Sequence, residues 1–354
     1  MWQESRHVGT LSPSKERREA PLYKGRSELS SRTVSIVLIL WNSEKFLERC
    51  LSGIATQTHQ DIDLHVIDNA STDGSVTIVE SRFPSAHVIW NRENRGFSAA
   101  ANQGIAASKG DFVLLLNPDV FLEPEYVRRC VEAIESKGET FGSATGKLLR
   151  GRGPSIEPTK IVDSKGMEMT RNGRHLDVGS GLVDDAGDDL PFEVFGVSGA
   201  AGLYRRTFLD DISIDGKPFD ENFFVYREDA DVAWRGRLFG WRSLCVPDAI
   251  AYHVRTVTPE RRRSLPPSIN MHSVKNRFLL RLKNQGRYLT LRNLLSQAMR
   301  DIVVVAAALT VERSSLPAFG WLWQHRRTIM QSRRAIQARR RVSDRELAHW
   351  FTNG

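Results

Sequence analysis

The chain is poor in cysteine, with three in 354 residues. Cys50, Cys130 and Cys245 lie far apart and form no CxxC pair, so neither a zinc site nor a disulfide framework is suggested, and a reducing compartment fits. An amino-terminal apolar segment of the signal-peptide kind is also missing: residues 1–33 are polar and charged and read as a disordered lead-in. The longest apolar run near the carboxyl end, residues 302–311, is bounded by Arg300-Asp301 and Glu312-Arg313. It falls well short of the roughly 20 residues that a membrane-spanning helix needs. Glycine-rich phosphate loops are absent too. Residues 142–147 resemble a P-loop superficially, but the spacing is one residue short and Leu148 stands where Ser or Thr is required. Without a GxGxxG fingerprint either, a nucleotide bound here would be held by acids at strand ends.

What is present suffices for a full core. A chain that is 40% hydrophobic at this length can bury an α/β domain and still build a small second module. The formal charge of +8 suits anionic partners: phosphorylated substrates, acidic lipid headgroups or nucleic acid.

Strands and helices alternate through the first third. Residues 34–40 form an apolar strand leading into Trp41-Asn42-Ser43, where Asn42 or Ser43 can cap a helix through Phe46, Leu47, Cys50, Leu51 and Ile54. A second strand, 64–67, ends on Asp68-Asn69, and a helix opens at Ser71-Thr72-Asp73-Gly74-Ser75. A third strand, 87–90, precedes Asn94-Arg95-Gly96-Phe97 and a small-residue helix over 98–108. A fourth, 111–116, is apolar without alternation, as buried strands are, and Pro118 ends its ladder just before Asp119. This alternation predicts a mostly parallel, right-handedly connected sheet. Residues 150–190, rich in Gly and Asp, read as loops or short hairpins. Small residues at 195–204 mark a close approach of backbone or ligand. A loop then gives way to a helix carrying Glu228-Asp229-Ala230-Asp231, and a short strand at 243–246 precedes Pro247 and a segment ending at His253. Arg261-Arg262-Arg263 and Pro266-Pro267 mark a hinge, and all beyond reads as helix.

Four polar points stand at element ends, each with two readings. Asp68 can accept the N3–H of a uracil or thymine ring, or cap the turn at Ser71 to Gly74. Asp119 can hold a ligand at the carboxyl edge of the sheet, or cap a turn. Glu228-Asp229 can be chemical groups, or dipole partners of a helix start. His253 can be a ligand or a structural histidine.

The ordered set Asp68-Asn69-Ala70-Ser71-Thr72-Asp73-Gly74, Asn94-Arg95-Gly96-Phe97 through Asn102, Leu116-Asn117-Pro118-Asp119, Phe219-Asp220-Glu221 through Glu228-Asp229, then His253 resembles the family 2 glycosyltransferases of GT-A fold. The likeness covers about residues 34–285, includes Ser273-Val274-Lys275-Asn276-Arg277, and is greatest to the bacterial branch with rhamnosyltransferases. It implies an α/β domain with a mostly parallel sheet, inverting transfer from a nucleoside-diphosphate sugar, and Mg²⁺ or Mn²⁺ on the leaving diphosphate. By resemblance Asp119 binds the metal, with His253 as a further ligand. Asp229 is the base, with Glu228 supporting it. Asp68 reads the base of the nucleotide, and Asn94, Gly96, Asn102 and Asn117 line the donor pocket. Asn117 replaces the first acid of the DxD pattern, which removes one anionic ligand. Asp231 is expected to be structural.

The organisation expected is a lead-in over 1–33, a catalytic domain over 34–260 and a basic helical region over 261–354. In the last, Leu291, Leu294, Leu295, Ala298, Ile302, Val305 and Leu309 share one helical stripe. With Trp321, Trp323 and the Arg pairs beyond, it can pack on the domain ahead of a solvated tail, or dock on an anionic membrane face near a lipid-linked acceptor. No recognition module accompanies the charge, which disfavours nucleic acid. The expected product is a cell-surface polysaccharide or lipid-linked glycan, made on the cytoplasmic side of the membrane. A sugar-phosphate nucleotidyltransferase is the nearest enzymatic rival, but Trp41-Asn42-Ser43 is not its Gly/Arg/Lys-rich loop. An inactive membrane-surface scaffold would not need Asp68, Asp119 and Asp229 together.

Overall fold

The computed structural model describes residues 32–185, 190–255 and 267–353. The expected lead-in, up to residue 31, and the Arg261-Arg262-Arg263 hinge lie outside the described residues.

The first half alternates as expected: β1 (Val34–Leu40), α1 (Glu44–Ala55), β2 (Ile62–Asp68), α2 (Ser75–Arg82), β3 (His87–Trp90), α3 (Gly96–Ala107) and β4 (Phe112–Leu116). Every residue of β1 and β4 is buried, which is why both strands are continuous apolar runs rather than alternating ones. Each large apolar side chain so buried contributes about 1.5–3 kcal/mol. The small residues of α3 let it approach β1 closely. A Cβ on Gly104 would meet the Val37 side chain at 2.2 Å.

Then follow β5 (Val120–Leu122), α4 (Tyr126–Lys137), β6 (Phe141–Arg152), β7 (Glu157–Ser164), β8 (Met167–Thr170), β9 (His175–Asp177), β10 (Phe192–Val194), β11 (Ala201–Arg205), α5 (Arg206–Ile212), α6 (Glu228–Leu238) and β12 (Arg242–His253). The expected short strand at 243–246 is thus the start of a 12-residue strand. Pro247 cannot donate to the ladder, and it sits where the pairing with β6 shifts register between Val246 and Ile250, so the strand survives as a bulge. The segment read as loops or short hairpins holds β7, antiparallel to β6, and the hairpin β8–β9.

The main sheet runs β10-β12-β6-β11-β4-β1-β2-β3. Strands β3, β2, β1 and β4 are parallel. Strand β11 is antiparallel to both β4 and β6, so β6 and its parallel neighbour β12 run with the first four. The carboxyl ends of β2, β4 and β12 therefore share one edge, and that edge collects Asp68, Asp119 and His253.

The remaining chain is α7 (Pro267–Asn284), α8 (Arg287–Thr310), α9 (Pro317–Gln324), α10 (Arg326–Ala338), α11 (Asp344–Leu347) and a last short strand, β13 (Phe351–Thr352). The all-helical expectation fails at its end: β13 pairs with β8, Phe351 beside Met169. Leu279, Leu280, Leu289, Ile329, Ile336 and Phe351 pack in one hydrophobic cluster with Val37, Leu115 and Trp234 of the α/β domain. The tail is tied to the domain, with its arginines still partly exposed. Arg339 donates to Ser213 O at 2.6 Å, Arg341 pairs with Asp211 at 2.8 Å, and Arg340 with Asp344 at 3.0 Å.

Helix α8 is inverted relative to an ordinary surface helix. Its inner side carries Asn293 and Gln297, the latter bonded to Gln285, while Leu291, Leu295 and Ile302 are 74%, 75% and 68% exposed. No single helix among the described residues is long and apolar enough to cross a membrane; α8 and the segment 313–324 meet that test only jointly, bent by 111°.

Candidate active site at the carboxyl edge

The turn after β4 reverses the chain so that β5 runs antiparallel to the end of β12, with Val120 opposite His253. That register, with Val254 N donating to Asp119 O at 3.0 Å, brings the Asp119 side chain to His253. Asp119 Oδ1 lies 3.5 Å from His253 Nε2. On its other side His253 Nδ1 meets the fully buried Asp163 Oδ2 at 2.8 Å. Burial opposes a charge on this imidazole, but the Asp119 and Asp163 carboxylates outweigh it and hold the ring's pKa up at about 10.

A carboxylate on the far ring nitrogen is how metal-binding histidines are commonly oriented, and it leaves Nε2 facing Asp119. The pair fits a divalent cation. Among the described residues no set of three or more His, Cys, Asp or Glu could hold a metal, so an ion here would complete its shell with water and phosphate oxygens, as Mg²⁺ commonly does. Imidazole favours Mn²⁺. Asn117 stands partly exposed in the same turn, its backbone N–H bonded to Ala200 O at 2.9 Å.

Asp163 continues a network with no local pattern in the sequence. Arg255 reaches it at 3.0 Å and reaches Asp177, at the end of β9, at 2.7 Å. Asp177 in turn is close enough for its charge to raise the pKa of Asp229. A chain of alternating charge therefore joins Asp119 to the neighbourhood of Asp229.

Glu228 and Asp229 open α6 on a strained approach: Phe224, Tyr226 and Arg227 have φ of 64°, 67° and 70°. Left-handed backbone at three non-glycine residues persists only where the surroundings enforce it. Asn276 of α7 does so, its side-chain amide donating to the carbonyls of Phe223, Val225 and Tyr226, each at 2.8 Å. Lys275 donates to Asn222 O beside it. Asp229 is half-buried and accepts from Ala230 N at 2.7 Å and Gly199 N at 3.3 Å. Burial raises its pKa above the ordinary carboxylate range, and burial together with Asp229 raises Glu228 further. Asp231 takes the structural place expected of it. It binds Arg235, Lys283 and Asn284 at 2.7–3.0 Å in the α6–α7 contact.

On the β2 side, Asp68 is buried and accepts from Ser71 N at 3.2–3.3 Å, the turn-capping geometry. Leu40 pairs with Asp68, and Trp41 follows it, 57% exposed. Asn94 Oδ1 accepts from Gly96 N at 2.9 Å and Asn69 Nδ2 at 3.1 Å, which shapes the entry to α3. Gly96 has φ +79°, and a Cβ there would lie 2.5 Å from the Phe224 ring. Asn102 spends its amide on Phe219, donating to its carbonyl at 2.8 Å and accepting from its N–H at 3.0 Å. It therefore anchors the loop before α6 to α3.

Comparison with known proteins agrees with this architecture. Residues 35–151 match the family model "Glycosyl transferase family 2". An N-acetylglucosaminyl-diphospho-decaprenol L-rhamnosyltransferase of Mycobacterium tuberculosis is 26% identical over 238 residues, covering 62% of this chain and 75% of that one. Glycosyltransferase GlyA of Streptococcus pneumoniae is 32% identical over 103 residues, 28% of this chain and 15% of that one. Among solved structures, GalNAc-T7 with UDP, GalNAc and Mn²⁺ superposes with TM-score 0.58 at 15% identity, over 75% of this chain and 51% of that one. The mannosyltransferase PcManGT of Pyrobaculum calidifontis, with GDP-Man and Mn²⁺, gives 0.50 at 18% identity, over 87% and 86%. At such identities the structures speak for the fold alone, and the fold is GT-A. Residues 35–151 thus carry a match to the family 2 glycosyltransferases, and a rhamnosyltransferase is among the proteins the chain is similar to.

Proposed function

We propose that this protein is an inverting glycosyltransferase that moves a sugar, rhamnose being the first candidate, from a nucleoside diphosphate to a hydroxyl of a lipid-linked glycan. The observation that carries the reading is the shared edge. Asp119 and His253 stand at one end of a charge network, and Asp229, with its pKa raised by burial, stands at the other.

Asp119 and His253 would hold Mg²⁺ or Mn²⁺, which neutralises the departing diphosphate when bound. Asp163 keeps the His253 ring turned toward Asp119. Asp229 takes the proton of the acceptor hydroxyl as that oxygen bonds to the anomeric carbon. The bond from that carbon to the phosphate oxygen breaks on the opposite face, so configuration inverts. Asp68 would accept from the nucleobase and Trp41 would offer it an aromatic face. Glu228, whose pKa burial and then the Asp229 charge raise well above the ordinary carboxylate range, would support the base. The rhamnosyl donor and the lipid-linked acceptor are suggested by the name of the M. tuberculosis relative.

The outward apolar face of α8 supports docking on an anionic membrane surface. Leu291, Leu295, Met299 and Ile302 are exposed along it, and the exposed Arg287 and Arg313 flank it. The site would then work at the inner face of the membrane.

The test is hydrolysis of a panel of nucleotide sugars with Mg²⁺ and with Mn²⁺, followed by the Asp229→Asn variant. One donor should be hydrolysed in a metal-dependent way. The variant should lose transfer by about a thousandfold or more, within the range of a general base, while binding that donor as before. Near-normal turnover by Asp229→Asn would remove it from the base role.

A further inference from the structure

Near the start of α6, arginines gather from three elements: Arg174 in the turn between β8 and β9, Arg277 and Arg281 on α7, and Arg300 on α8. The Arg281 side chain lies against this turn; a Cβ on Gly173 would be 2.8 Å from its Cδ. Among the described residues the carboxylate that answers this group is Asp301, held by Arg281 at 2.6 Å. Arg277 is 6% exposed, and its Nη1 is buried with no hydrogen-bond partner among the described residues. The Nε atoms of Arg281 and Arg300 are likewise buried without a partner. Burial, then the charges of Arg300 and Arg281, lower the pKa of Arg277 to about 10. A buried guanidinium such as Arg277, set among like charges, is costly, and an arriving anion relieves that cost.

The group is placed to serve the site. Arg277 lies close enough to His175 to depress its pKa, and His175 Nδ1 is 3.2 Å from Arg227 Nη1, one residue before Glu228-Asp229. In the other direction Arg300 shares α8 with the exposed Leu295, Met299 and Ile302. Moving outward, a bound molecule would meet the base, then guanidinium groups, then an apolar surface. A sugar joined through phosphate to a lipid has its hydroxyl, its anion and its hydrocarbon in that order.

We propose that Arg174, Arg277, Arg281 and Arg300 form an anion subsite that holds the phosphate groups of a lipid-diphosphate acceptor, with its hydrocarbon running along α8. The assignment rests on the reading of the acceptor as lipid-linked.

The test uses the full chain and three probes: farnesyl diphosphate, farnesol and inorganic pyrophosphate, titrated by calorimetry at two salt concentrations. Farnesyl diphosphate should bind roughly tenfold or more tightly than either fragment. Arg277→Gln and the exposed Arg174→Gln should each weaken it several-fold and flatten its salt dependence. Arg82→Gln, on the far α2 surface, should not change binding. Melting temperature separates lost binding from lost folding, and Arg174→Gln serves if Arg277→Gln does not fold. Equal affinity for farnesol and its diphosphate, or unchanged binding by both variants, would overturn the subsite. Pyrophosphate binding as tightly as farnesyl diphosphate would overturn the lipid assignment. Donor hydrolysis by the unaltered protein reports separately on the transferase reading, because it requires no acceptor.

Discussion

The proposed reaction gives chemical roles to Asp119, Asp229 and His253, with Asp163 behind the histidine. Asp163 sets which nitrogen of His253 faces Asp119, so Asp163→Asn disturbs the ring without touching the proposed ligands. Metal-dependent donor binding should weaken about 10–100-fold, the usual cost of losing such a partner. Donor titration against Mn²⁺ checks this, and unchanged affinity would make Asp163 a mere structural partner of Arg255. For Asp229 the sign of the pH effect follows from burial. A base whose pKa lies above the ordinary carboxylate value, about 3.9, loses activity at a higher pH than an exposed aspartate would. The logarithm of kcat/KM should therefore fall with unit slope on the acid side, at a higher pH than an exposed aspartate would give. A rate still level at about pH 4 would place the base elsewhere. Asp119, Asp229 and His253 were legible because each ends a strand or opens a helix in a recognisable order. Asp163, Asp177 and Arg255 were not. Their partners are 78–92 positions away in sequence, and contacts at that distance leave no local pattern.

At the scale of elements, the informative contact is α6 on α7. Lys283 reaches Asp220 at 2.5 Å and Asp231 at 3.0 Å, and although burial opposes it, Lys283 holds the Asp220 pKa down at about 2. The same helix supplies Asn276, whose three carbonyl contacts enforce left-handed backbone just ahead of Asp229, the proposed base. The stretch Ser273-Val274-Lys275-Asn276-Arg277 was visible as part of a family pattern, yet nothing in its spacing showed that it clamps a strained loop. Its role depends on φ values of residues 50 positions earlier. Asn276→Ala leaves buried carbonyls without donors, which costs about 1–3 kcal/mol, and frees the loop to relax. Turnover should drop about a hundredfold or more, as misplacement of a catalytic group does, while donor affinity changes little. Steady-state kinetics beside thermal melting decide this. A turnover loss no larger than the loss of folded protein would reduce Asn276 to a stability residue.

For the whole molecule, sequence periodicity found the stripe on α8 but could not say which way it faces. Hydrophobic patterning indicates that a helix has two unlike sides, and burial of the apolar one is only the common outcome. Here α11 and the end of α7 meet the polar side, where Gln285 bonds Gln297 and Arg281 pairs with Asp301, Leu289 and Ala308 being the apolar residues left inward, and the stripe is exposed. The tail fixes this arrangement. With β13 paired to β8 and Arg339, Arg340 and Arg341 tied to the domain, truncating the chain near residue 315 would expose core and say little about docking. Substitution on the exposed face is the sharper probe. Leu295→Glu combined with Ile302→Glu changes two side chains that touch solvent, and such surface changes usually alter stability by less than about 0.5 kcal/mol each. Each removes apolar contact and adds a charge that anionic lipid repels, so binding to anionic vesicles should fall about tenfold or more in a flotation assay. The unaltered protein should bind less at higher salt, since the flanking arginines act through a screened field. A double variant that floats as well as the original would remove α8 from the membrane contact. If instead the original protein sediments as a dimer without lipid and the variant as a monomer, a second copy of the chain covers this face.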